Sequence, residues 1–157
     1  MSAEPNQPEG RGALIERIGR SWEELQRAVG DLDHRQLSAP GPEGWSVKDH
    51  LAHLARWEQY LLAVLEDQPE PLAAFGLEAG VERDADAINA ALQPRDAGLT
   101  PAAVRRLLTD THASVLARLE ALEDAELERS LGRIAGNTYG HIDEHRPWIG
   151  AVVAALS

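Results

Sequence analysis

Two histidines four residues apart, in Gly140-His141-Ile142-Asp143-Glu144-His145, form the pair in this chain whose spacing could do chemistry. On a helix, residues i and i+4 share a face, so His141 and His145 can turn two imidazoles toward one point. A third nitrogen is available from His53, within Gly44-Trp45-Ser46-Val47-Lys48-Asp49-His50-Leu51-Ala52-His53-Leu54, if the fold sets that helix opposite the pair. Three neutral imidazoles are a ligand set for a divalent metal, zinc or nickel, with positions left open for water or substrate. Such a centre can acidify bound water toward neutral pH or polarise a carbonyl. The HxxxH pair alone is weak evidence, because that spacing also arises by chance on solvated helices. Imidazole binds metal only when neutral, so ordinary pKa values of about 6.5 predict that affinity falls below about pH 6.

Each remaining candidate has a competing structural explanation. His50 lies one turn before His53 and competes with it for the ligand role; otherwise it orients a ligand or lines the pocket mouth. His34 sits in a polar loop and reads as solvated. His112, among apolar neighbours, reads as a hydrogen-bonded core histidine. Asp143 and Glu144 lie between the two helix histidines and point elsewhere, although Glu144 is a candidate general base. Asp49 and Glu144 are the carboxylates nearest in sequence to the histidines. Aromatics are scarce, so Trp45, Trp57, Tyr60, Tyr139 and Trp148 stand out. They read either as core packing or, with Asp49 and His50, as the lining of an apolar substrate pocket.

These residues need elements to position them, and the apolar spacing is helical throughout. Leu14, Ile15, Ile18, Trp22, Leu25 and Val29 mark a first amphipathic helix near residues 13–30, with a flexible start over 1–12. Asp33 to Gly44 reads as a loop. Ser46 is a good N-cap and Asp49 can complete a capping box, starting a helix over 46–66 that Pro69 and Pro71 end. Between Pro69 and Gly98 the pattern predicts an irregular link with a short helix ending before Pro94. Thr100-Pro101 opens a third long helix, 101–122. Asp124 to Gly136 reads as a connection with one turn of helix. Asn137 or Thr138 should cap a last helix over 138–155, which Pro147 interrupts. Sustained alternation of period two is absent, so the reading is all-α: four main helices over 13–157 as one domain.

Composition narrows the function. A chain of 157 residues with 43% hydrophobic content suits one folded domain. The formal charge of −11 argues against nucleic-acid binding through a basic surface and against anionic membranes. Without cysteine there is no disulfide frame, thiolate nucleophile or Cys-ligated zinc. No apolar run reaches the roughly 18 residues of a membrane helix, and no signal-peptide segment opens the chain. A cytoplasmic protein is the expectation.

The segment Trp45-Ser46-Val47-Lys48-Asp49-His50-Leu51-Ala52-His53-Leu54 resembles the second-helix motif of the DinB-like superfamily, where a tryptophan precedes the ligand histidine by about two helical turns. That register selects His53 over His50. Asn137-Thr138-Tyr139-Gly140-His141-Ile142-Asp143-Glu144-His145-Arg146-Pro147-Trp148-Ile149 resembles the last-helix motif of one branch, the ClbS/DfsB-type four-helix bundle proteins, and Asp86-Ala87-Ile88-Asn89 resembles a further segment of it. Gly140 stands where a bulkier residue is expected. The resemblance runs from about Leu14 to near the end. It implies a four-helix bundle with a long crossover, carrying a short extra helix, between the second and third main helices. It also implies a divalent metal on His53, His141 and His145, and a homodimer. Characterised relatives include thiol-dependent transferases and isomerases and a colibactin self-resistance hydrolase. The implied function is a metal-dependent enzyme acting on a small organic electrophile by hydrolysis or thiol transfer, in detoxification or self-resistance. Because this chain has no cysteine, any thiol must be a low-molecular-weight cosubstrate. The alternative is a non-catalytic bundle that sequesters a hydrophobic small molecule.

Overall fold

The computed structural model describes residues 8–77 and 84–156, and among these every regular element is helical. In chain order they are α1 (Gly10–Val29), α2 (His34–Ser38), α3 (Val47–Leu65), a 3₁₀ turn (Pro71–Phe75), α4 (Ala85–Asp96), α5 (Pro101–Ala121), α6 (Asp124–Asn137) and α7 (Tyr139–Ala154). The four long helices α1, α3, α5 and α7 pack against one another, with α3 touching both α5 and α7 and α1 likewise.

Their apolar stripes explain the packing. On α1, Leu14, Ile18, Ser21, Leu25 and Val29 are buried; on α7, Ile142, His145, Ile149 and Val152 are buried. The steps of three and four keep each set on one side of its helix. The core they form is divided in two. One cluster gathers Leu25, Val29, Leu51, Leu54, Val104, Leu108, Ile142 and Ile149. The other gathers Leu14, Ile18, Leu61, Leu65, Val115, Leu119 and Ile134. Polar residues separate them: Ser21 lies between Ile18 and Leu25, Glu58 between Leu54 and Leu61, and His112 between Leu108 and Val115.

The structure corrects several expectations. The expected flexible start falls partly on residues 1–7, which lie outside the described residues; from Gly10 the chain is helical. Arg11 there donates to the carbonyls of Leu119 and Leu122 and pairs with Asp124 at 2.8 Å, fastening α1 to the end of α5. The expected loop after Asp33 contains α2, begun by a reciprocal capping box between Asp33 and Gln36. The short helix of the link runs through Pro94 instead of ending before it. Near a helix end a proline removes one donor only, and the turn beyond it is anchored by Arg56 to Asp96 and by Arg95 to the Phe75 carbonyl.

The largest correction is α6, fourteen residues long where one turn was expected. Leu127, Leu131 and Ile134 recur at helical spacing and pack into the second cluster. The last helix then starts without a side-chain cap. Asn137 ends α6, and Thr138, at φ −122° and ψ −107°, donates its hydroxyl to the Ile134 carbonyl at 2.6 Å. Two helices thus abut with a single non-helical residue between them. The corner is tight: a Cβ on Gly140 would lie 2.8 Å from the Ala135 carbonyl oxygen. Glycine stands where a bulkier residue was expected because the corner has no room for one.

Candidate metal centre

The α3 start is set by its cap. Ser46 Oγ accepts from the Asp49 amide at 3.0 Å, and Asp49 Oδ2 accepts from the Ser46 amide at 2.9 Å. Asp49 therefore faces the backbone of its own helix and does not line the pocket. The turn before it is held by the Gly41 amide donating to the Trp45 carbonyl at 2.9 Å, which fixes Trp45 beside α3. From this start, His50 and His53 project from one side of α3, and α7 brings His141 and His145 to meet them.

The rings of His53, His141 and His145 lie 4.7 to 4.9 Å apart, centroid to centroid. Each offers one nitrogen, and those nitrogens lie within 4.8 Å of one another. Tetrahedral ligands at about 2 Å from a metal sit about 3.3 Å apart, so a small inward rotation of the rings closes the set. His53 and His145 are buried and His141 half-buried. The Nδ1 atoms of His53 and His141 are buried without a hydrogen-bond partner. A buried imidazole nitrogen left without a partner is costly, and a metal would satisfy it. The residues fit a metal on this count.

His50 stands beside the three as a partner of one of them. Its Nδ1 lies 2.9 Å from Nδ1 of His145, close enough for a hydrogen bond between two neutral rings. For His145 to present Nε2 as a bare ligand, its Nδ1 must carry the proton and donate to His50. With His50 as the acceptor, this contact accommodates the tautomer that a metal needs.

Burial also keeps the rings neutral. Loss of hydration pushes His50 and His141 down to about 4. Burial lowers His53 to about 3 and His145 to about 2, helped by the neighbouring imidazoles, which would repel a second proton. The expectation of weakening below pH 6 rested on unperturbed rings. Desolvated ones resist protons until well below that, so proton competition is displaced to about pH 4 and under.

The cluster forms the floor of a cleft of about 640 Å³. Of the residues expected along it, Trp45, His50, Trp57 and Trp148 do line it. Trp45 packs 5.0 Å from His50, Trp57 lies 6.4 Å from His53, and Trp148, 48% exposed, lies 4.8 Å from His145. Glu144 is exposed and contributes to the lining. Tyr60 and Tyr139 do not line it. Tyr60 stacks on Phe75 under the link, and Tyr139 packs into the second core cluster with the Arg17 guanidinium 4.6 Å over its ring. Asp143 turns away to Arg17 and Ser21, and although burial works against it, those donors hold its carboxyl below the usual range.

Two further residues matter that sequence reasoning left without a role. Asn89 accepts from the Trp57 indole at 2.8 Å and lines the cleft, which accounts for the Asp86–Asn89 segment. Glu58 accepts or shares a proton with His112 Nδ1 at 2.9 Å, deep in the polar layer, and His112 stacks on Trp22 at 3.8 Å. His112 is thus a paired core histidine, and His34 is an exposed residue at the start of α2.

A family model described as the DinB superfamily matches residues 17–153. No curated protein and no solved structure matches the chain.

Proposed function

We propose, from the premise that this chain belongs to the DinB superfamily, that it is a metal-dependent enzyme acting on a small organic electrophile. The four long helices are read as the superfamily's four-helix bundle, and residues 66–100, with the 3₁₀ turn and α4, as its long crossover. The observation that carries the reading is the convergence of three imidazoles, two buried and one half-buried, in the lining of an open cleft. His53, His141 and His145 would hold a zinc or nickel ion, which when bound supplies an open position able to acidify water or a thiol.

The chain's own residues do the rest. His50, as acceptor, accommodates the His145 ring in its ligating tautomer. Trp45, Trp57 and Trp148 exclude water and offer flat apolar surface to a substrate. Glu144, at the cleft, can accept a proton from an attacking group there. Hydrolysis and transfer of a low-molecular-weight thiol both fit this equipment, as does a role in detoxification or self-resistance. We place the protein in the cytoplasm, and as a homodimer in keeping with the superfamily to which it belongs; among the described residues no helix is long and apolar enough to cross a membrane.

The size and aromatic walls of the cleft favour one second reading, a bundle that sequesters a hydrophobic small molecule without transforming it. Metal analysis of untagged protein separates the two. Stoichiometric metal that disappears in His53→Ala is expected for the enzyme. Protein that carries none, and takes up neither zinc nor nickel on titration, overturns that reading.

A further inference from the structure

The charges around the cleft point to what it accepts, on the reading that this cleft is the working site. No lysine or arginine among the described residues lines it. The cations on α3, α4 and α7 are engaged elsewhere, while α6, which adds Gly136 and Asn137 to the lining, carries Arg129 and Arg133 exposed outside it. Lys48 donates to the Ala97 and Leu99 carbonyls at 2.7 and 2.8 Å. Arg56 makes a two-pronged pair with Asp96. Arg95 reaches the Phe75 carbonyl and Asp96. Arg146 pairs with Glu24 at 2.8 Å, on the side facing α1. The charged side chains that do line the cleft are Glu43, on the turn before α3, and Glu144, on α7.

Three indole rings share that lining. An indole face carries negative potential and attracts a cation, most strongly where water is excluded. At the floor, His53 is only 7% exposed and keeps its Nδ1 unpartnered, so the polar end of the cleft is built to receive something. The arrangement is graded: a polar, metal-competent floor, aromatic walls, and two carboxylates that pair with no cation among the described residues.

We propose that the cleft binds an apolar, ring-bearing molecule that carries a positively charged nitrogen, with the ring against Trp45, Trp57 and Trp148 and the cation near Glu43 and Glu144. Among the described residues an anionic group would meet no cationic side chain there, and it would lie against like charge. The same argument bears on any thiol cosubstrate: one with free carboxylates fits poorly, and an uncharged or cationic one fits well.

Calorimetric titration of the metal-free protein tests this with three probes of matched ring size: naphthylmethyl-trimethylammonium, naphthalenemethanol and naphthylacetate. The ammonium probe should bind about tenfold more tightly than the acetate, with the alcohol between them. In the double variant Glu43→Gln/Glu144→Gln the gap between ammonium and alcohol should narrow to what the indole faces supply, while alcohol binding stays the same. Glu120→Gln/Glu128→Gln, a pair exposed on α5 and α6, should leave the ordering intact, separating local from overall charge. Equal or reversed ordering overturns the proposal, as does a gap left at full size after loss of both cleft carboxylates. Failure of all three probes to bind also overturns it. Because no metal is present, these results are independent of the metal analysis that tests the enzyme.

Discussion

Two buried histidine environments in this molecule invite comparison. In the cleft, His50, His53, His141 and His145 face one another, with Glu43 and Glu144 elsewhere in the lining, and burial drives the histidines' pKa values far down. In the core layer, His112 faces Glu58, whose carboxyl is raised by burial in spite of its hydrogen bond to the imidazole. Both places are dry and both hold imidazole. The difference is the partner. His112 has its Nδ1 met by a carboxylate, although Glu58 Oε2 is itself buried without a partner, whereas the unpartnered Nδ1 atoms of His53 and His141 belong to rings that converge with His145 on one point. The first arrangement is a structural joint and the second is a ligand set, so burial alone does not mark a functional histidine.

The sharpest test is acid. The cleft histidines have folded pKa values of about 2 to 4, below the ordinary 6.5. Between pH 6.5 and about 4, the unfolded chain binds protons that the folded cleft refuses, so stability falls as pH falls. Each histidine contributes up to about 1.4 kcal/mol per pH unit in that window. Glu58 acts with the opposite sign: its raised folded pKa means the native state takes up a proton first, adding stability on acidification. Denaturant unfolding of metal-free protein at pH 7, 6 and 5 should show a steep net loss. The slope should shrink in His141→Asn/His145→Asn and steepen in Glu58→Gln. An unchanged slope in both variants would erase the distinction between the two sites.

Next in size is the structural joint. His112→Ala leaves Glu58 buried without its partner and strips a stacked ring from Trp22, and should cost about 1–3 kcal/mol in denaturation. Metal stoichiometry should stay the same. If metal is lost along with stability, the core layer belongs to the site after all.

A smaller and more selective effect is expected at His50. His50→Ala removes the Nδ1 partner of His145 and should weaken metal binding about 10–100-fold without abolishing it. His50→Gln, which can still accept from His145, should recover part of the loss. Affinity unaffected by His50→Ala would make His50 plain lining.

The comparison also shows what could be read in advance. The α3 start was legible because Ser46 and Asp49 form a local device, and its leucines repeat with a helix's period. His141 and His145 were legible for the same reason, since i and i+4 is a local relation. Glu58 was not. Nothing local ties it to His112, fifty-four positions away, and a carboxylate inside an apolar stripe reads as an exposed residue until the opposite helix is known. α6 was obscured by Gly132 and Gly136, which resemble punctuation; packing of Leu127 and Ile134 against α1, α3 and α5 outweighs the glycines. Tyr60 and Tyr139 show the converse limit. An aromatic at helical spacing is equally suited to pocket and core, and only tertiary placement decides.

The link between α3 and α5 bears on how such a protein can change over generations. Its 3₁₀ turn and α4 bury Phe75, Ile88 and Leu92 in a small cluster of their own, against Trp57 and Tyr60, apart from the two clusters that hold the long helices. Yet the same link sends Ala85 and Asn89 into the cleft wall. Substitutions there can reshape what the cleft admits while leaving the main core and the four histidines undisturbed. The metal-competent floor and this part of the cleft wall thus belong to different packing units of one fold.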